Sequence, residues 1–141
     1  MEYQKFEHTL IVRLDRGEEI VDCLLDLARR EHITLASVNG LGAVNQVTAG
    51  VFSPVTKKYR SHEFQGDFEI ICLHGTLTTQ DGRPYGHFHI SIGDDEGRVW
   101  GGHLNRAVIS ATCELVVTVL DGRVERKPDP ETGLNLMAFG V

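Results

Sequence analysis

The chain has 141 residues, 41% hydrophobic and 24% charged, a balance that excludes a disordered polyelectrolyte and suits a single folded domain over residues 1–141. A formal net charge of -6 argues against the general electrostatic grip on DNA that an excess of Lys and Arg provides. No apolar run nears the roughly 18 residues of a membrane helix, and "MEYQKFEHTL" lacks the basic-then-apolar layout of a secretory leader, so a cytoplasmic location with no membrane partner is expected.

In chain order, Leu10, Val12 and Leu14 alternate as a strand does, and the period then changes to that of a helix over residues 17–31. Asp15 and Glu18 read as an N-terminal cap with its return acid. Ile20, Val21, Leu24, Leu25, Leu27 and Ala28 form one apolar stripe, and Arg29 and Arg30 fall where the negative helix end favours cations. "TLASVNGLGAVNQVTAGVFS" reads as a short strand, a turn at Asn39 to Gly42, and a second strand from Val47 to Phe52. "KKYRSHEF", "DFEIICLHGTL", "GHFHISI", "GRVWGGHL" and "ELVVTVL" are strand-like and separated by Gly, Asp and Pro. One main helix packed on an antiparallel or mixed sheet of seven or more strands is an α+β fold. Cys23, Cys72 and Cys113 sit in apolar patterns, as reduced buried thiols do, and none has an activating neighbour in its pattern.

Within "GHFHISI", side-chain alternation puts His87, His89 and Ser91 on one face and Phe88, Ile90 and Ile92 on the other. The following "GDDEGRVWGGHL" contains a hairpin loop of Asp95, Glu96 and Gly97, which pairs position 94 with 98. Carried down the ladder, this register sets Ile92 opposite Trp100, Phe88 opposite Leu104, and His89 opposite His103, with Ser91 facing Gly101. The pairing that joins Trp100 and Leu104 to the apolar face thus brings His103 to His87 and His89. Three neutral imidazoles suit Zn²⁺ with a fourth position open, from which the ion can acidify a water or polarise a substrate oxygen; nickel, iron and copper accept imidazole too. The competing readings are a polar sheet face and a subunit contact held by hydrogen bonds.

The remaining histidines lack such a partner set: His8 and His32 fall at element ends, and His62 and His74 lie in strands. His74 ends "DFEIICLH", a strand that also carries Glu69, a general-base or outer-shell candidate. "DGRP" at 81–84 lacks the basic flanks of a minor-groove hook and reads as a turn, and "GLG" at 40–42 lacks the remaining glycine of a dinucleotide fingerprint.

Over nearly its whole length the chain resembles the plants and prokaryotes conserved (PPC) domain. The likeness runs from "FEHTLIVRLDRGEEI" through "SVNGLGAVNQVTAGVFSP", "GDFEIICLHGTL" and "HFHISIGDDEGRVWGGHL" to "CELVVTVL". The resemblance implies an α+β domain assembled as a homotrimer. It also implies a division of roles: plant relatives add AT-hooks and bind nuclear DNA, whereas stand-alone prokaryotic relatives lack the hook and keep histidines at the positions of His87, His89 and His103. The Arg usual before Phe in the family's "G-R-F-E-I" core is Asp67 here, which weakens transfer of the plant partner-binding role. The leading expectation is therefore a metal-binding trimer, with zinc first, open to a small-molecule ligand and to metal-dependent catalysis. The alternative is a DNA-binding or transcription-associated module without a hook.

Overall fold

A computed structural model describes residues 1–140. Its elements are β1 (Glu2–Phe6), β2 (Thr9–Asp15), α1 (Ile20–Arg30), β3 (Ala36–Ser53), β4 (Lys58–Gln80), β5 (Arg83–Gly93), β6 (Val99–Val119), β7 (Glu125–Pro128) and β8 (Asn135–Ala138). All eight strands belong to one sheet, antiparallel except where β7 joins β4 in parallel, so the sheet is mixed. The fold is mostly β with one short helix, as the α+β expectation requires.

β3 pairs with β4 and β6, and β5 pairs with the same two strands, so these four close a ring. The ring's interior and the underside of β2 hold the core, where Leu10, Val12, Leu14, Leu73, Phe88, Ile90, Ile92 and Leu115 are buried. α1 packs on β5 and β6 from that side. It contributes Ile20, Leu24, Leu27 and Ala28 as buried residues, with Val21 and Leu25 packed at the margin. Burial of a single large side chain such as Phe88 contributes about 1.5–3 kcal/mol. The face of β5 that carries Phe88, Ile90 and Ile92 is thereby committed to the core, and the histidine face is turned outward.

The helix begins later than expected. Glu18 does return to the Asp15 N–H (2.8 Å), but the N-cap is Glu19, whose carboxylate accepts from the Asp22 N–H at 2.7 Å. Residues 17 and 18 are unavailable to the helix because they bond to β6: the Gly17 N–H donates to Ile109 O, and the Ile109 N–H donates to Glu18 O. At the other end His32 takes a left-handed conformation (φ 54°), and the Ile33 N–H donates to Ala28 O at 2.9 Å, closing the last turn.

The expected turn at Asn39 to Gly42 is absent from this continuous 18-residue strand β3, which instead carries a register shift between Gly40 and Gly42. Here the glycines serve close approach: a Cβ at Gly40 would overlap the Leu115 side chain, and one at Gly42 the backbone of Thr112 and Cys113 on β6. "KKYRSHEF" and "DFEIICLHGTL" likewise fuse into β4, and "GRVWGGHL" and "ELVVTVL" into β6.

Ladder pairing carries one transverse row across the outer face from Ile11 through Val116, Asn39, His74 and His89 to His103. Its first two residues are exposed and apolar, and its end is imidazole.

Candidate metal centre

The hairpin between β5 and β6 has the expected register. The Asp94 N–H donates to Arg98 O at 3.1 Å, Gly97 adopts φ 77°, and the Asp94 carboxylate binds both the backbone N–H and the guanidinium of Arg98. His89 consequently faces His103, Ser91 faces Gly101 and Ile92 faces Trp100. Gly101 makes this approach possible, since a Cβ there would overlap Ile90 O. The pairing stops at His89 and His103: Leu104 is opposite Ala49 of β3, not Phe88, because β6 leaves β5 at this point to run along β3.

His87, His89 and His103 converge, with every ligating atom within 4.8 Å of the others, the one such group of His, Cys, Asp or Glu side chains among the described residues. Ring centroids are 5.3 Å apart for His87 and His89, 5.1 Å for His87 and His103, and 5.9 Å for His89 and His103. His87 and His103 are half-buried and His89 is exposed. Burial, followed by the charges of His103, Arg126 and His89, pushes the His87 imidazole down to about 4. Burial and then His89 lower His103 as well. Both rings are thus neutral near pH 7 and keep the lone pair that ligates a metal. Three imidazole nitrogen donors on adjacent strands fit a first-row divalent cation. His103 is fixed from behind: the Tyr59 ring lies edge-on to it at 6.1 Å, and the Tyr59 hydroxyl bonds His103 O and Asn105 Oδ1.

The trio opens on a cavity of about 760 Å³ whose walls include Phe52, Tyr59, Tyr85, Arg126 and Leu134. The C-terminal hairpin of β7 and β8 supplies Arg126 from the first strand and Asn135 and Leu136 from the second. "ERKP" reads only as a short mixed-charge stretch, and no periodicity there signals a buried arginine.

Of the other candidates, His74 lies opposite His89, with ring centroids 6.1 Å apart, and Cys72 Sγ sits 3.3 Å from His74 Nδ1. This corrects the expectation that all three thiols are buried: Cys113 is buried and Cys23 partly so, but Cys72 is exposed. The cause is a bulge between Ile70 and Cys72, which inserts Ile71 and turns Cys72 to the outer face. Glu69 is opposite Gly93, at the far end of the ladder from the trio. His8, His32 and His62 are exposed and stand outside the group.

The chain matches the Plants and Prokaryotes Conserved (PCC, also written PPC) domain over residues 1–121. The bifunctional protein GlmU of a Synechococcus species is 34% identical over 126 residues, which cover 86% of this chain and 19% of GlmU; the chain spans about a fifth of the length of the curated relatives it matches. A Bacteroides thetaiotaomicron protein provisionally described as DNA-binding has a solved structure that superposes with a TM-score of 0.95 at 32% identity, covering 98% of this chain and 96% of that one. A protein from Archaeoglobus fulgidus, described as metal-containing, superposes with a TM-score of 0.88 at 32% identity, covering 97% of this chain and 96% of that one. The extent of the domain match, joined to these two superpositions, makes this chain a member of the Plants and Prokaryotes Conserved domain family.

Proposed function

We propose that this chain is a metal-binding, single-domain protein in which His87, His89 and His103 hold one divalent cation, zinc in the first instance. The observation that carries the reading is the convergence of three imidazoles from two paired strands to within 4.8 Å. The lowered proton affinity of His87 and His103 supports it, as does the description of the Archaeoglobus relative as metal-containing. Bound there, such an ion would supply a Lewis acid beside the cavity that the three histidines line. The protein's own residues set the ion's surroundings: Tyr59 and Asn105 fix His103, and the β5–β6 hairpin fixes the spacing of the trio.

Purified protein is expected to carry about one metal ion per chain by elemental analysis. His89→Ala should reduce that at least tenfold, because two imidazoles hold a first-row ion far less well than three. A metal content near zero that added zinc does not restore would end this reading.

Assembly as a cytoplasmic homotrimer belongs to the same proposal. Family membership supports the trimer, as does the outer face, where Ile11 is 46% and Val116 41% exposed in the lone chain. No helix among the described residues is long and apolar enough to cross a membrane. The second reading, a DNA-associated module, draws on the description of the Bacteroides relative. A gel-shift series over salt concentration separates the two, since phosphate contacts weaken steeply as salt rises.

A further inference from the structure

Arg126 is 6% exposed, and it is the one buried cation among the described residues. Its Nε donates to Thr78 Oγ1 at 2.9 Å, its Nη1 to Asn135 O at 2.9 Å and its Nη2 to Thr76 Oγ1 at 3.4 Å, with the Tyr85 ring 4.9 Å from the guanidinium carbon. Every one of these partners is neutral. The neighbouring Arg123 is paired with Glu125 and the distant Arg98 with Asp94 and Glu96, but no carboxylate among the described residues bridges to Arg126. A guanidinium does not escape burial by deprotonating, and an unpaired buried charge is costly. Three of its five N–H groups are engaged by the bonds above, which leaves one on each terminal nitrogen.

This cation stands next to the three histidines. Thr76, which it bonds, is the cross-strand partner of His87, and Tyr85, beneath it, precedes His87 by two residues on the same face of β5. Arg126 and the trio line the same cavity, and none of the described residues lining it is an Asp or Glu. A divalent ion on the histidines would add further positive charge to a wall whose guanidinium has no carboxylate bridged to it among the described residues. Elsewhere the lining is mainly apolar, with Val51, Phe52, Pro54, Leu134 and Leu136, interrupted by the neutral amides of Asn105 and Asn135. A volume of about 760 Å³ is in the range that accepts a small organic molecule.

The geometry points to a small organic acid as the ligand of this cavity, its carboxylate received by the two remaining N–H groups of Arg126 and by the metal on His87, His89 and His103, its apolar body against Phe52, Leu134 and Leu136. The metal contact rests on the proposed three-histidine site; the Arg126 contact does not. A planar carboxylate matches the two-pronged guanidinium, and the apolar walls favour it over free inorganic phosphate. Ligand recognition thus draws on the β7–β8 hairpin, through Arg126 and Leu136, as well as on the ring, through Phe52 and the three histidines.

The test is calorimetric titration of the full zinc-treated chain with benzoate, with neutral benzamide and inorganic phosphate as comparators. Benzoate is expected to bind at least tenfold more tightly than either. Arg126→Gln should weaken benzoate at least tenfold while leaving the zinc content unchanged, and Arg126→Lys should recover part of the loss, which an arginine that merely anchors the hairpin would not show. After chelation the benzoate affinity should fall yet still depend on Arg126. Absence of benzoate binding, equal binding of benzamide or phosphate, or an Arg126→Gln protein that binds benzoate like the parent would overturn the inference. A chain that takes up no zinc but loses benzoate binding in Arg126→Gln removes the metal reading alone. One that holds zinc and binds benzoate without regard to Arg126 removes the organic-acid reading alone.

Discussion

His87 shows how a single residue ties the site to stability. Its imidazole titrates at about 4 in the folded metal-free chain, chiefly because it is buried, against about 6.5 when unfolded. Above pH 6.5 both states are neutral at this position; between 6.5 and 4 only the unfolded chain takes up the proton, so stability falls across that window and levels off below it. The urea midpoint of chelator-treated protein is expected to decline over this range, with a shallower decline in His87→Gln, where the lowered His103 remains; an identical slope in the variant would contradict the assignment. The three histidines were legible in the sequence because alternation and a two-sided hairpin constrain each other. Arg126 and Cys72 were not: one reaches the site through a distant hairpin, and the other faces outward only because Ile71 is inserted as a bulge.

Among the elements, α1 depends on Glu19 more than its surface position suggests. One carboxylate oxygen caps the helix at the Asp22 N–H, and the other accepts from the Ala107 N–H of β6 at 2.8 Å, so this residue joins the helix start to the sheet. Glu19→Ala is expected to cost about 1–2 kcal/mol in denaturant unfolding, with Glu19→Gln retaining part of it; no measurable change would show that water replaces both bonds. The stripe from Ile20 to Ala28 made the helix readable, yet its first turn depended on pairing between residues 17–18 and Ile109 that no local pattern encodes. The long strands were hidden for a related reason. Each bulge in β3 and β4 shifts the inside-outside alternation, so a continuous strand reads as two short ones, and glycines chosen for close packing resemble turn glycines.

At the scale of the whole molecule, Ile11 and Val116 stand in the row that ends at His89 and His103. If that face is the contact of the proposed trimer, Val116→Glu should reduce the mass in light scattering from three chains to one, whereas chelation alone should leave the trimer intact unless the ion spans subunits. A trimer that survives the substitution would place the contact on another surface. The helix-backed ring of four strands and the hairpin of β7 and β8 divide the work differently. The ring spaces the histidines through backbone pairing, while the hairpin meets the ring through a single parallel bridge at Thr79 and Glu125 and the side-chain bonds of Arg126 and its neighbours. An attachment so economical leaves the spacing of the three imidazoles independent of the tail, which lends walls to the cavity but no strand to the ring.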